Sequence, residues 1–381
     1  MKHFLITCIL LLTTSLSTLF AQNFQLNFEE TLVIGKEDSD STEYLFSGPR
    51  TIRLLPGGDI LIADASDKAI RIFDNQGHFL RKLGQRGRGP GDFLDVTSVE
   101  IGSDGKIIAL DRFQNRISFF DQNEGFLNST TLQTETLGVS QVFENPNSNE
   151  FIAVSRDFLN PEDEGYLLHR YNEELTIKLD EILNIFDSFF DESNPLHVSI
   201  SQVPRYKGVQ LNPYKFAIIP GIYTGTIFVL NTNTNQEQLF GEPLPQIVEE
   251  YDWEKREQFR NSDEVGFASS SGASGQFFYK QTGSNLGIVG NANFILNFYV
   301  LFDGKEIIPF VTIYSIEGEK LANINLKESP IHFIKNNRIS IVPNYLDENN
   351  KLYVSDYNYN YSHPAVRVFE TNFSELLEPE N

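Results

Sequence analysis

The stretch Gly57-Gly58-Asp59-Ile60-Leu61-Ile62-Ala63-Asp64, followed by Arg71-Ile72-Phe73-Asp74-Asn75-Gln76-Gly77-His78-Phe79, is restated further along the chain. The second version reads Asp104-Gly105-Lys106-Ile107-Ile108-Ala109-Leu110-Asp111, then Arg116-Ile117-Ser118-Phe119-Phe120-Asp121, ending in Gly125-Phe126. Gly58 to Gly105, Asp64 to Asp111 and Asp74 to Asp121 are each 47 residues apart. A fixed period of this size marks a repeat architecture. Each copy opens on a Gly pair or Asp-Gly turn, which supplies the positive φ that a tight hairpin needs. Ile60-Leu61-Ile62-Ala63 is continuously apolar, as a strand buried on both faces requires. Ile70-Arg71-Ile72-Phe73 alternates, and Asn75-Gln76-Gly77 turns the chain into Phe79-Leu80-Arg81-Lys82-Leu83. Four antiparallel strands in this length make one propeller blade.

Working outward, the same pattern recurs in more divergent form. A third copy has Asn147-Ser148-Asn149-Glu150 as its turn, Phe151-Ile152-Ala153-Val154 as its buried strand and Leu167 to Tyr171 as the next. A fourth offers Phe216 to Ile219 and Thr226 to Leu230, and a fifth Phe294 to Tyr299 and Val311 to Tyr314. The sixth returns to the opening form, with Leu352-Tyr353-Val354-Ser355-Asp356 and Val366-Arg367-Val368-Phe369-Glu370. Upstream, Phe46 precedes Phe93 by the same 47 residues, so Thr31 to Ile34 matches the outermost strand of a blade with nothing before it. The expected fold is therefore all-β: a six-bladed β-propeller of four-stranded antiparallel blades. Its ring would be closed by the N-terminal strand pairing in the last blade, which removes exposed edges.

The expected boundaries are a signal peptide over 1–21, the propeller over 22–370 and a C-terminal tail over 371–381. Lys2, the apolar run Phe4 to Leu12 and Thr18-Leu19-Phe20-Ala21 form the leader pattern. It holds the chain's one Cys and one Met, so the exported chain would be stable without disulfides. An insertion is expected over 241–283, between blades four and five. There Pro245 to Phe259 places Ile247, Val248, Tyr251 and Phe259 on one helical face, and Ser269 to Gly275 reads as a surface loop.

Net charge is −22, or −23 once Lys2 leaves with the leader, which argues against nucleic acid and anionic lipid as partners. Export places the protein in the periplasm or outside the cell, with no membrane insertion after cleavage, and a monomer is expected.

Ile62-Ala63-Asp64 with Arg71-Ile72-Phe73-Asp74, and the connector Gly84-Gln85-Arg86-Gly87-Arg88-Gly89-Pro90-Gly91-Asp92-Phe93, resemble the NHL-repeat group of propellers. Within that group the likeness is to secreted bacterial six-bladed propellers. It is clear over Leu32 to Leu127 and Leu352 to Glu370, and architectural between. The group includes protein-binding scaffolds, lyases and hydrolases, so the resemblance implies a fold and no single activity. It also implies that the loops after each second strand (Asp64 to Lys68, Asp111 to Asn115, Arg156 to Phe158, Asp356 to Pro364) open with the connector on one face, around the channel.

That face holds the candidate site. Arg86 and Arg88 could clamp a carboxylate, sulfate or phosphate; the competing reading pairs them with surface acids. Tyr357-Asn358-Tyr359-Asn360-Tyr361-Ser362-His363-Pro364 lengthens one loop by four residues relative to blade one. Tyr357, Tyr359 and Tyr361, with the asparagines between them, could stack on a ring and bond hydroxyls, with His363 beside them as a further site residue; an aromatic strand extension would look the same. Asp64, Asp111 and Asp356 recur at equivalent positions and read as turn-capping residues.

The five histidines beyond the leader make no H-E-x-x-H spacing, and there is no G-x-S-x-G elbow. Glu162-Asp163-Glu164 and Asp38-Ser39-Asp40 could bind Ca²⁺ but match no EF-hand, and oxygen ligands in loops are common. No cofactor and no metal site is expected. The leading reading is an exported binding module taking a glycan or a protein at its loop face. The alternatives are a lyase or hydrolase acting on an anionic saccharide or ester, using His363 as the candidate catalytic residue with the connector arginines Arg86 and Arg88, and a structural component of a surface assembly.

Overall fold

The computed structural model describes residues 24–35, 41–132, 139–146, 148–155, 165–202, 206–272, 275–357 and 363–377. The expected leader lies outside them, as do Arg156 to Phe158, Tyr359, Tyr361 and the acidic runs at 38–40 and 162–164.

Six four-stranded antiparallel sheets follow one another. The first runs Pro49–Leu54, Ile60–Asp64, Ala69–Phe73 and Phe79–Leu83. The second comprises Val96–Ile101, Ile107–Asp111, Arg116–Asp121 and Gly125–Thr131. The third and fourth begin at Gln141–Asn145 and Lys207–Asn212, the fifth at Gly283–Gly290. The sixth takes three strands from the C-terminal end, Ile341–Leu346, Lys351–Asp356 and Ala365–Thr371. Its fourth strand is Phe28–Ile34, antiparallel to Ala365–Thr371, three residues longer than the Thr31 to Ile34 that the repeat picks out. The first strand of each sheet lies beside the first strand of the next, and that of the sixth lies beside that of the first.

The apolar second strands are explained by where successive side chains go. Ile60 and Ile62 pack toward Tyr353, Val366 and Val368 of the sixth sheet. Leu61 and Ala63 point the other way, into a cluster with Val96, Val99 and Ile107 of the second. A strand sandwiched between two neighbours needs apolar side chains on both faces, each large one contributing about 1.5–3 kcal/mol on burial. Asp64 and Asp111 cap turns, while Asp356 accepts from Arg367 Nε at 2.7 Å. Asp64, fully buried, accepts from the amides of Ser47, Gly48, Ser66 and Asp67 at 2.9–3.2 Å.

The connector between the first two sheets folds tightly on itself, with Phe93 N–H donating to Gln85 O at 2.8 Å and Gly87 N–H to Phe93 O at 3.1 Å. Gly84 sits at φ +69°, and a Cβ there would lie 2.5 Å from both the Gly91 carbonyl oxygen and the buried Phe93 ring. Gly84→Ala should therefore cost about 1–3 kcal/mol, a backbone penalty compounded by the clash. Urea unfolding checks this; an unchanged midpoint would refute it.

The segment between the fourth and fifth sheets departs from the helical expectation. Val248–Tyr251 is a strand, followed by a 3-10 turn at Trp253–Lys255 and a helix only over Arg256–Arg260. The serine-rich run is not a loop either, since Phe267–Gly272 pairs antiparallel with Gly275–Gln281. That strand also pairs with Val248–Tyr251, giving a three-stranded sheet. Tertiary pairing decides the outcome: aromatic Phe277, Phe278 and Tyr279 supply the packing that the small serines do not, and local propensity yields to it. The sheet rests on a helix at Pro195–Ser201, with Ser199 and Ser270 hydroxyls 2.7 Å apart. Asn194 caps that helix by accepting from Leu196 and His197 amides, with Pro195 in the first turn.

The C-terminal end is tied down. Asn372 accepts from Asn27 N–H at 2.9 Å, and the buried Phe373 packs against Phe294 at 6.3 Å between ring centres.

Candidate functional site

The first strands of all six sheets contribute to one cavity of about 490 Å³. Arg50 and Arg53 enter it from the first, Thr97 and Ser98 from the second, Gln141 from the third and Lys207 from the fourth. Ser284 and Asn285 belong to the fifth, and Val342 to Asn344 to the sixth. Arg112, from the loop after a second strand, and Tyr357 complete the wall on the side where the connectors enter. A volume of this order is typical of a small-ligand site.

In a chain of net charge −22, the lining is unexpectedly basic: among the described residues Arg50, Arg53, Arg112 and Lys207 contribute to it, and no Asp or Glu does. The neutralising acids stand behind the wall. Arg53 forms a two-pronged pair with Glu100, Nε at 2.7 Å and Nη2 at 2.6 Å, both side chains about nine-tenths buried. Its Nη1 donates to Ile52 O at 2.8 Å and Asn344 O at 3.2 Å. Burial opposes the charge on Arg53, but the Glu100 carboxylate outweighs it and raises the guanidinium pKa. Asp95, buried, meets three cations: Arg112 at 2.9 Å, Arg50 at 3.4 Å and Lys68 at 3.5 Å. Lys207 pairs with no carboxylate among the described residues; its ammonium donates to Leu286 O. Burial pushes the Lys207 pKa down to about 8. Among the described residues, four cations thus line this opening against two carboxylates, Glu100 and Asp95, behind it.

Three hydroxyl groups of the wall spend their protons on the protein. Ser284 donates to Gly221 O at 3.0 Å, Ser140 to Val154 O at 3.2 Å and Thr97 to Asp95 O at 3.1 Å. Asn285 gives both amide protons to Pro220 O and Ile222 O, at 2.8 and 3.2 Å. Its Oδ1 has no partner among the described residues.

Of the residues singled out in the sequence, Tyr357 borders this cavity, its hydroxyl donating to Pro49 O. Tyr359 and Tyr361 lie outside the described residues. His363 is half-buried beside Pro364, whose carbonyl faces Gly35, and does not line the cavity. Arg86 and Arg88 are exposed on the connector and do not line it either. Arg86 bridges to Phe93, and the Arg88 carbonyl accepts from Arg116 at 3.1 Å. Arg50, Arg53 and Lys207 were missed by sequence reasoning. The available signal was the strand Pro49-Arg50-Thr51-Ile52-Arg53 and its 47-residue offset, which lays Arg53 on Glu100.

A DUF5128 family model described as "6-bladed beta-propeller" matches residues 39–214. No curated protein matches the sequence. Among solved structures, a protein of Bacteroides fragilis whose name is that of an exported protein shares the fold with a TM-score of 0.55. The two are 12% identical, covering 91% of this chain and 94% of that one. A member of the duf4221 family from Bacteroides vulgatus gives a TM-score of 0.56 at 8% identity, over 91% and 98% of the two chains. Virginiamycin B lyase from Staphylococcus aureus gives 0.48 at 12% identity, over 91% and 99%. Among the described residues, no helix is long and apolar enough to cross a membrane.

Proposed function

We propose that this chain is an exported six-bladed propeller, its ring closed by Phe28–Ile34 in the sixth sheet, that works as a binding module. Its ligand, a glycan or a protein segment, sits in the channel mouth on the connector side. One observation carries this reading: all six sheets give polar or cationic side chains to a single opening of about 490 Å³, bordered by Tyr357. Loops and strand ends on a rigid scaffold are where binding groups are held with least loss of order. Export rests on the leader pattern of residues 1–21, and the likeness to an exported protein agrees with it.

His363, the candidate for lyase or hydrolase chemistry, does not line the cavity, so that reading is not carried further. The test is a glycan array probed with the wild type and with the Tyr357→Ala, Tyr359→Ala, Tyr361→Ala triple variant. The wild type should be retained on a restricted set of glycans, and the variant should lose at least ten-fold of that signal. Equal retention sinks the assignment of the loop. Retention of neither protein favours a protein ligand or a purely structural role.

A further inference from the structure

We infer that the ligand of the channel is an acidic saccharide, a sugar carrying a carboxylate, with the carboxylate held near Arg50, Arg112 and Lys207. This rests on the binding reading above and names the chemical class that the same opening accepts.

Two properties of the wall lead there together. The first is charge. The cations lining the opening outnumber the acids behind it, and Lys207 has no acid partner of its own among the described residues. A cation held at a depressed pKa by burial gains most from an anion brought in beside it, because the anion supplies the countercharge that the protein withholds. The guanidinium groups of Arg50 and Arg112 suit a planar carboxylate.

The second property is the direction of the hydroxyl protons. Ser140 and Ser284 have committed theirs to backbone carbonyls, so toward a ligand they offer lone pairs. Asn285 has likewise spent both amide protons, and its Oδ1 is buried within the wall rather than presented to the opening. A bare anion accepts hydrogen bonds but cannot donate them, so it satisfies the cations and leaves these acceptors unmet. A polyol without charge does the reverse. A molecule with a carboxylate and several hydroxyls matches both sets, whereas an acyl chain or a lone aromatic ring matches neither.

The test is calorimetric titration of the full chain with uronic-acid disaccharides of the galacturonate, glucuronate and mannuronate types, each paired with its methyl ester. Esterification removes the charge and keeps the hydroxyls. At least one acid should bind ten-fold or more tightly than its own ester, and more tightly than inorganic sulfate. Lys207→Met and, separately, Arg50→Gln should shrink the acid-over-ester ratio several-fold, the acid losing more affinity than its ester. Arg50 is half exposed, so its variant keeps the test valid if the Lys207 change perturbs folding.

If no acid exceeds its ester, the inference is overturned. Sulfate binding as tightly as the disaccharides would also overturn it, leaving a simple anion site. These outcomes separate from failure of the broader reading. A neutral glycan retained through the tyrosine loop, with no acid preference, leaves the binding module standing and removes only the ligand class.

Discussion

Glu100→Ala should lower the unfolding free energy by about 3–5 kcal/mol, the cost of leaving a buried partner charge uncompensated. Glu100 and Arg53 occupy equivalent positions of adjacent sheets, 47 residues apart, and their side chains are 8% and 11% exposed. The guanidinium also holds the Ile52 and Asn344 carbonyls, so one group ties together the first, second and sixth sheets. Without Glu100 it keeps those two acceptors but loses both charge-assisted bonds, and at this depth water replaces them poorly. The Arg53→Met, Glu100→Leu double variant separates charge from packing. It should recover most of the loss, because two apolar side chains of similar volume carry no desolvation cost. Urea unfolding with the slope held in common measures both. A loss under about 1 kcal/mol for Glu100→Ala would place the pair with exposed ion pairs, which contribute little.

That pair shows what could be read from the residues and what could not. The 47-residue period gives the sheets, their order and the partner of the N-terminal strand, because each of these follows from which side chains must be buried. Ile60 to Ala63 is apolar at every position, and only a strand with a neighbour on each face needs that. The same reasoning stops at the channel. A polar residue on a first strand satisfies the repeat whether it faces solvent, a neighbour or a ligand, and Arg50 and Arg53 look alike in the sequence. Their difference appears only when Glu100 is brought behind one and Asp95 behind the other. The tyrosine-rich loop attracted attention for its composition, yet just Tyr357 of its described residues borders the opening. The serine-rich run after Phe267 was misread for a related reason. Its strand character is lent by Phe277 to Tyr279 across the hairpin, and a single-stretch reading does not see a partner.

Lys207→Met should make the folded protein more stable at pH 7, by roughly 3 kcal/mol at most, with the gain fading as pH rises toward 10. The sign follows from proton linkage. The folded-state pKa of Lys207, about 8, lies below its ordinary value of 10.5. Below pH 8 both states carry the proton, and the folded state bears the full cost of a desolvated ammonium. Between pH 8 and about 10.5 the unfolded chain holds a proton that the folded chain has released, so stability of the wild type rises through that window. Each pH unit is worth about 1.36 kcal/mol, which sets the upper bound. Raised tyrosine pKa values work against this trend above pH 10, with Tyr314 pushed up to about 12 by burial and by Tyr299, so the window to examine is pH 7 to 10. Chemical denaturation of wild type and variant across it should give two curves that converge at the alkaline end; parallel curves would refute the assignment. The same titration bears on binding. A wild type that gives up the Lys207 charge above pH 8 should hold an acidic disaccharide progressively less well between pH 7 and 9, while the Lys207→Met variant shows no such fall. Beyond its hydrogen bond to Leu286 O, which a methionine would forgo, a cation that costs the fold stability at neutral pH needs a further justification at that position. A binding role supplies one: the anion that enters the channel offsets the cost that folding alone leaves in place.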